Sequence, residues 1–492
     1  MKKQALNPYL SLDVCIPDGE PHVFGDRIYI FGSHDKEGGE KFCILDYEIF
    51  SAPIDDLGNW TSKGINYCAK QDPSYSEKYQ YMYAPDVTRG EDGRYYLYYC
   101  LAGGAFTGPI HVAVCDSPDG QYEYYGEVRN PDGSTFWRNI TFDPAVINDD
   151  GQIRLYYGWA LALPKEKRPE AFSDPFSEEL LQIEEWMFDK TREQLLQEKE
   201  SLMGAFTVEL AEDMLTVTSE PKRIVPGQFD SFGTQYEGHA FFEASSMRKI
   251  GSTYYFIYSS EQEHELCYAT SAYPDRDFTY RGTIISNGDI GYHGRKAADR
   301  LNATGNNHGS IEKVGDRWFV FYHRPTHANL FSRQGCAEEI YIDSQGNIAQ
   351  VEMTSAGLNG VPLLPEGAYA AGNCCNLTNG HMPHLTTVED AGVIPCITSD
   401  GQDRFVGGMT NGTYVQYKYF AFSHLVKLQV TLRGDAGKLR ITVGPQIIEI
   451  NLEENKEWHE VQAAITMSGT YPLQLMYCGE GKMDIQKIVF SS

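Results

Sequence analysis

Along the chain, short apolar runs alternate with polar residues and come in pairs. An apolar stretch, a Gly-containing turn and an aromatic-rich stretch recur five times. The first copy runs from Asp18 through Pro21-His22-Val23-Phe24, turns at Gly25-Asp26 and continues as Arg27-Ile28-Tyr29-Ile30-Phe31. The second joins Asp86-Val87-Thr88 to Tyr95-Tyr96-Leu97-Tyr98-Tyr99 through Asp92-Gly93. The third opens at Asp143-Pro144-Ala145-Val146, turns at Asp150-Gly151 and continues from Ile153 to Tyr157. The fourth opens at Glu243 and turns at Gly251 before Tyr254-Tyr255-Phe256-Ile257-Tyr258. The fifth opens at His308-Gly309-Ser310 and turns at Gly315-Asp316 before Trp318-Phe319-Val320-Phe321-Tyr322. Each copy is a β-hairpin by its local chemistry, since Asp-Gly and Gly-Asp turns join two β-prone runs. Five such units, each with room for further strands, predict a five-bladed β-propeller over residues 1–355.

The longest interval separates the third and fourth units, and it holds a helical pattern. Residues 164–203 predict an inserted helix, with Ser177 as N-cap after Pro175 and an apolar face through Leu180-Leu181, Trp186-Met187-Phe188 and Leu195-Leu196. This insertion is placed to wall off one end of a pocket. Residues 356–372, rich in Gly, Pro and Ala, read as a linker. From 373 to 492 strict alternation returns, as in Leu428-Val430-Leu432, Leu439-Ile441-Val443 and Ile448-Ile450-Leu452, and predicts a β-sandwich of jelly-roll type. The expected fold class is therefore all-β.

In a propeller the first strand of every blade lies next to the axis, so the openers Asp18, Asp86, Asp143, Glu243 and His308 form a ring around one pocket. A single opener reads as a turn cap. Five equivalent positions with ionisable groups do not, because crowding like charges raises some of their pKa values and opposes folding. Cleavage of a glycosidic bond needs one protonated carboxyl group and one carboxylate, and a negative ring stabilises an oxocarbenium-like transition state.

Composition narrows the partners. Net charge is −27, from 68 acidic and 41 basic residues, which repels nucleic acid. No apolar stretch is long enough to span a bilayer. The 33 Tyr and 24 Phe residues suit strands and also sugar-stacking walls, for which Tyr83 and Trp159 are candidates. Met1-Lys2-Lys3 is followed by no apolar segment of signal-peptide length, and the eleven cysteines contain no CxxC pair. Free thiols and a cytoplasmic location are expected. There is no nucleotide motif, no zinc-spaced His/Cys cluster and no Ser nucleophile elbow. No feature specifies an oligomeric state.

At this point the residues resemble the family 43 glycoside hydrolases over roughly residues 7–350. Asn7-Pro8-Tyr9-Leu10, Pro17-Asp18, Tyr83-Ala84-Pro85-Asp86-Val87, Glu243 before its Tyr-rich strand, and Asn307-His308-Gly309-Ser310 carry the likeness. The resemblance implies an inverting enzyme that releases terminal xylose or arabinofuranose from oligosaccharides. Asp18 would be the general base, Glu243 the general acid and Asp86 the residue that orients it. His308 would sit on the axis and help hold a hydrated calcium ion, and Arg333 would contact substrate. Asp143 is left as either a supporting partner or a strand-start cap. Two departures stand out. Asp18 is followed by Gly19-Glu20 rather than Pro, and Glu243-Ala244-Ser245 replaces Glu-Gly-Pro. Glu237-Gly238 imitates the latter, but the spacing to the Tyr-rich strand favours Glu243. Residues 411–417 and 469–485 resemble a family 6 carbohydrate-binding module, which would bind sugar or brace the enzyme. A lectin-like propeller and a related enzyme acting on fructosides or transferring glycosyl groups are the alternatives.

Overall fold

The computed structural model describes residues 3–103, 106–163, 178–188, 190–198, 201–386 and 392–491. Among the described residues the architecture is all-β, with strands throughout and two short α-helices. Residues 20–340 form five successive antiparallel sheets. The first contains β1 (Glu20–Phe24), β2 (Arg27–Phe31), β3 (Tyr47–Pro53) and β4 (Thr61–Tyr67). The second contains β5 (Tyr81–Met82), β6 (Asp86–Arg89), β7 (Tyr95–Gly103), β8 (Phe106–Cys115) and β9 (Glu123–Glu127). The third holds β10 (Ala145–Asp149), β11 (Gln152–Trp159), β12 (Gly204–Leu210) and β13 (Lys222–Pro226), and the fourth β14 (Phe241–Ile250), β15 (Thr253–Ser260), β16 (Glu265–Ser271) and β17 (Thr279–Ser286). The fifth has three strands, β18 (Ser310–Val314), β19 (Arg317–Pro325) and β20 (Arg333–Ile340).

The aromatic-rich runs are the second strands of the hairpins, and they are buried on both faces. Side chains alternate across a strand, so one run serves two cores. In β7, Tyr96 and Tyr98 pack toward the third sheet, while Leu97, Tyr99 and Leu101 pack toward the first. In β15, Tyr254, Phe256 and Tyr258 face the third sheet, and Tyr255 and Ile257 face the fifth. A further core joins the fifth sheet to the first, through Phe319 and Phe321 against Ile28 and Ile30, and closes the ring. The strands β6, β10, β14, β18 and β1 are neighbours in turn. Between β1 and β6 the circuit is completed by His22 Nε2 and Asp86 Oδ1, 2.6 Å apart.

The three-stranded fifth sheet is completed by the N-terminal segment. Tyr9 N–H donates to the Gly335 carbonyl at 3.2 Å. The buried Asn7 side chain accepts from Ala337 N–H at 2.9 Å and donates to the Ala337 carbonyl and to Glu338 Oε1, both at 2.9 Å.

The inserted helix exists as α1 (Glu178–Phe188), followed by α2 (Arg192–Leu195). Residues 164–177, including the expected cap Ser177, lie outside the described residues. Leu180 packs on the core between the third and fourth sheets, and Leu181 packs with Leu195 and Leu202.

The expected linker is not loose. Leu358 belongs to the core between the first and fifth sheets, and Leu363 to the C-terminal core. Residues 367–370 are themselves a strand, β21 (Gly367–Ala370). The strands that follow are β22 (Asn376–Thr378), β23 (Cys396–Ser399), β24 (Arg404–Met409), β25 (Tyr414–Phe422), β26 (Leu425–Gly434), β27 (Gly437–Val443), β28 (Gln446–Leu452), β29 (Asn455–Thr466), β30 (Gly469–Cys478) and β31 (Met483–Ser491). They form two sheets, one ordered β22-β25-β30-β27-β28 and the other β23-β24-β31-β26-β29 with β21 on β31. The alternating residues Leu428, Val430, Leu432, Leu439, Ile441 and Val443 meet in one core between them.

Polar contacts tie these sheets to the ring. Lys418 Nζ lies 2.9 Å from both Asp289 Oδ2 and Glu352 Oε1. Arg324 donates to the Cys375 carbonyl at 2.6 Å, and Arg404 pairs with Glu37 at 2.5 Å.

Because Asn7 satisfies buried donors and acceptors at the incomplete sheet, Asn7→Ala is expected to destabilise the protein by about 2–3 kcal/mol. Urea unfolding of the two proteins measures it.

Candidate active site

The first strands bring their opening residues to one end of the ring. Asp18, Asp143, Glu243 and His308 line a single cavity of about 280 Å³, together with Tyr83 and Arg333. The backbone at these positions is unusual. Asp18, Asp143 and Ala244 have φ of 56°, 45° and 69°. Such left-handed residues outside glycine concentrate at functional sites. The Ala244 value explains why glycine suits the position after the glutamate. It also sits at a break in register between Glu243 and Ser246, a bulge at which β14 departs from its pairing with β15. Gly309 allows the neighbouring close approach, since a Cβ there would meet the Phe321 carbonyl at 1.9 Å.

The carboxyl groups occupy contrasting environments. Burial alone would raise Asp18. The Arg333 guanidinium, 2.9 Å from its Oδ1, outweighs burial and holds the carboxyl well below the usual carboxylate range, with His323 acting in the same direction. Arg333 is itself fixed by the buried Asp35, which takes Nε at 2.8 Å and Nη2 at 3.0 Å. His323 Nε2 lies 2.9 Å from the Asn306 carbonyl, and its Nδ1 is 3.2 Å from Asp18 N–H. The same Nδ1 lies 3.1 Å from Asp18 Oδ1, so a proton on that nitrogen favours the ionised carboxylate.

Glu243 behaves oppositely. Burial pushes it up to about 7, opposed by a hydrogen bond from Asn306 at 3.2 Å and reinforced by the charges of Asp18 and Glu263. Asp143 is raised as well, by burial and by Glu243, while its Oδ2 accepts Ala244 N–H at 3.0 Å. Asp143 and Glu243 thus titrate as a pair. The imidazole of His308 is held down to about 4 by burial, so it is neutral, and its Nδ1 lies 3.6 Å from Asp143 Oδ2 and 4.0 Å from Asp18 Oδ1.

Several expectations need correction. Asp86 is buried beneath the pocket rather than lining it. Its carboxylate takes His22 at 2.6 Å and the Val87 and Val146 N–H groups, each at 2.7 Å, so it pins the first three sheets together. Asp143 is the acid that adjoins Glu243. Trp159 stands behind Phe242, ring centroids 6.0 Å apart, and Phe242 is the wall. Of the two glutamates in question, Glu243 lines the pocket, while Glu237 is exposed and accepts Gly233 N–H in a turn. Glu20 opens β1 and accepts from Arg248 of β14 at 3.0 Å. Among the described residues of the helical insertion, none lines the cavity.

Calcium takes six to eight oxygen ligands. The two carboxylate oxygens nearest His308 are already engaged by Ala244 N–H and Arg333. A donor cluster between β1 and β6, Glu20 with His22 and Asp86, already has a buried cation beside it, the Arg248 guanidinium bridging Glu20 and Glu312. A calcium ion at His308 would therefore be held through its own waters, as the resemblance implies, with His308 and the flanking Asp18 and Asp143 carboxyl groups around it rather than as a cage of direct ligands.

Residues missed from the sequence include Asp35, His323, Asn306, Glu263, Phe42 and Leu385. Asn306 and Phe242 adjoin residues already singled out, so proximity in sequence was a usable signal. Nothing local marks Asp35 or Leu385.

A buried, ionised carboxylate beside a carboxyl group raised toward neutrality, in a pocket walled by Phe and Tyr, is the equipment of a glycosidase. The chain belongs to glycosyl hydrolases family 43, whose model matches residues 7–185. A xylosidase/arabinosidase of Thermoclostridium stercorarium is 40% identical over 504 residues, covering 99% of this chain and 98% of that protein. A xylosidase/arabinosidase of Bacteroides ovatus is 28% identical, covering 70% of this chain and 97% of its own. The crystal structure of CoXyl43, a β-xylosidase/α-arabinofuranosidase from a compost microbial metagenome, in its calcium-free form with xylotriose, superposes with a TM-score of 0.52. It shares 25% identity and covers 71% of this chain and 98% of that one.

Arg333→Met would leave Asp18 and Asp35 buried without their cation. The Asp18 pKa then rises, so the acid limb of the pH–rate profile is expected to move toward neutral pH. Stability falls by about 3–5 kcal/mol. The milder Arg333→Lys variant keeps a cation but loses the fork that spans Asp18 and Asp35, so a smaller shift in the same direction is expected in a protein that still folds.

Proposed function

We propose that this enzyme removes terminal pentose units, xylose or arabinofuranose, from oligosaccharides with inversion at the anomeric carbon. The observation that carries the proposal is the split between Asp18, held ionised by Arg333, and Glu243, raised to about 7 by burial, within one pocket. Asp18 takes the proton of the attacking water as it adds to the anomeric carbon. Glu243 gives its proton to the leaving oxygen as the glycosidic bond breaks. Asp143, in place of Asp86, holds the Glu243 segment through Ala244 N–H and sets its protonation. Arg333 keeps Asp18 oriented and ionised, and the neutral His308 spaces Asp18 from Asp143.

The names of the relatives support the pentose reading. The cavity supports action at chain ends, because about 280 Å³ lies at the small end of ligand pockets, which run from about 300 to 1,000 Å³. On this reading the five sheets are the blades of a propeller and the two C-terminal sheets a β-sandwich. That sandwich braces the enzyme, given its buried ion pair with Asp289. No helix among the described residues is long and apolar enough to cross a membrane. All eleven cysteines are free, which supports residence in the cytoplasm. Within the ring, the positive charge near Glu20 and Asp86 comes from Arg248.

A panel of nitrophenyl glycosides tests the proposal. Wild type is expected to hydrolyse the β-xyloside or the α-L-arabinofuranoside. Glu243→Gln and Asp18→Asn should each lose about 100-fold or more in kcat. The reaction needs Glu243 protonated, so the wild-type rate should fall as pH rises through about 7. Retention of full activity by both variants would remove the assignment.

Arg248→Met, which removes the cation between Glu20 and Glu312, should lower stability by about 3–5 kcal/mol, read by thermal melting.

A further inference from the structure

The catalytic cavity is not walled by the five sheets alone. Leu385, which follows β22 in the C-terminal part of the chain, is one of its lining residues. Its placement is built. Thr304 N–H donates to the Pro383 carbonyl at 3.1 Å, and Leu385 N–H donates back to the Thr304 carbonyl at 2.8 Å. Thr304 and His384 form an isolated parallel bridge, and Thr304 Oγ1 lies 3.0 Å from His384 Nδ1. On its other nitrogen, His384 lies 3.3 Å from Glu263 Oε2.

Both anchors flank Glu243. Thr304 is two residues from Asn306, whose side chain bonds Glu243, and Glu263 lines the same cavity. Asp18, Arg333 and Phe42 form a separate group of the lining, with the Arg333 guanidinium 4.6 Å over the Phe42 ring. In a single-displacement reaction the acid stands on the leaving-group side and the base on the opposite side. Leu385 therefore stands where the leaving sugar sits. The residue is 41% exposed, an apolar side chain held in the mouth of a polar site. Its backbone has φ of 57°, a conformation that costs a bulky residue about 1 kcal/mol or more and that persists only where the surroundings impose it.

We infer that Leu385 is the aglycone wall of this active site, a specificity-determining residue supplied by the C-terminal sheets. The inference rests on the glycosidase reading above. The C-terminal part of the chain then completes the pocket as well as bracing the ring. The ligand it recognises is the apolar face of the second pyranose of a xylo-oligosaccharide, whose contact with Leu385 is removed when only a small leaving group occupies that side.

The test compares xylobiose with β-xylosyl fluoride, whose leaving group carries no sugar, by kcat/KM in full-length wild type, Leu385→Ala and Leu385→Met. The ratio of xylobiose to fluoride is expected to fall about tenfold in Leu385→Ala, mainly through KM for xylobiose. The conservative Leu385→Met variant, which refills the space, should keep the wild-type ratio. His384→Gln, which loosens the anchor, should lower the ratio in the same direction by a smaller factor. An unchanged ratio in Leu385→Ala overturns the inference, whether both rates hold or both fall together. Circular dichroism and melting of each variant identify loss of fold, and a ratio is read only from folded protein. A wild type inert on both xylosides but active on the nitrophenyl α-L-arabinofuranoside overturns this inference alone, and one inert on all three overturns the glycosidase reading with it.

Discussion

The ion cluster of Asp35, Arg333 and Asp18 is the interaction on which the site depends. All three side chains are buried. Removing Arg333 would leave two buried carboxylates without their cation in a region where water cannot reach them, at a cost of several kcal/mol. The cluster spans the join between the first and fifth sheets, because Asp18 and Asp35 flank β1 and β2 while Arg333 opens β20. Closure of the ring and ionisation of Asp18 are thus the same physical event. A chain that failed to bring its ends together would lose the cation that keeps Asp18 charged.

Around that fixed point, burial sorts the remaining acids by what each is given. Asp86 receives two backbone N–H groups and a histidine, and becomes a strut between sheets. Asp143 and Glu243 receive one neutral hydrogen bond each from the groups around them and lie close enough to raise one another. Asp18 and Asp143, the same residue type at equivalent positions of the repeat, are therefore shifted in opposite directions. Desolvation is common to all of them, and the compensating partner decides the outcome.

The C-terminal sheets bear on the site through structure rather than through charge alone. Lys418, Arg324 and Arg404 hold them against the ring with buried or half-buried polar bonds. The interface is directional, since each bond fixes a register. Such rigidity is what allows a single apolar residue beyond β22 to stand at the mouth of a pocket built by other strands. A flexible tether could not hold Leu385 in a strained backbone conformation.

Much of the fold was legible because period-two alternation and Asp-Gly turns are local. Tyr95–Tyr99 and Tyr254–Tyr258 declare two-sided burial by having no polar residue on either face. The openers Asp18, Asp143, Glu243 and His308 were legible by their repeat position. Repeat position alone could not separate Asp86 from Asp143. Both open a copy of the same hairpin, and only the tertiary structure shows which one adjoins Glu243. The same limit explains Trp159, whose ring turns behind Phe242. Asp35 and Leu385 left no local trace, because their importance lies in contacts with residues about 300 and 80 positions away. The sequence by itself determined which strands form and which of them open with an acid. The tertiary structure decided which acids share a pocket and which cation or burial sets their charge, because those depend on distances between chain segments that no local pattern encodes.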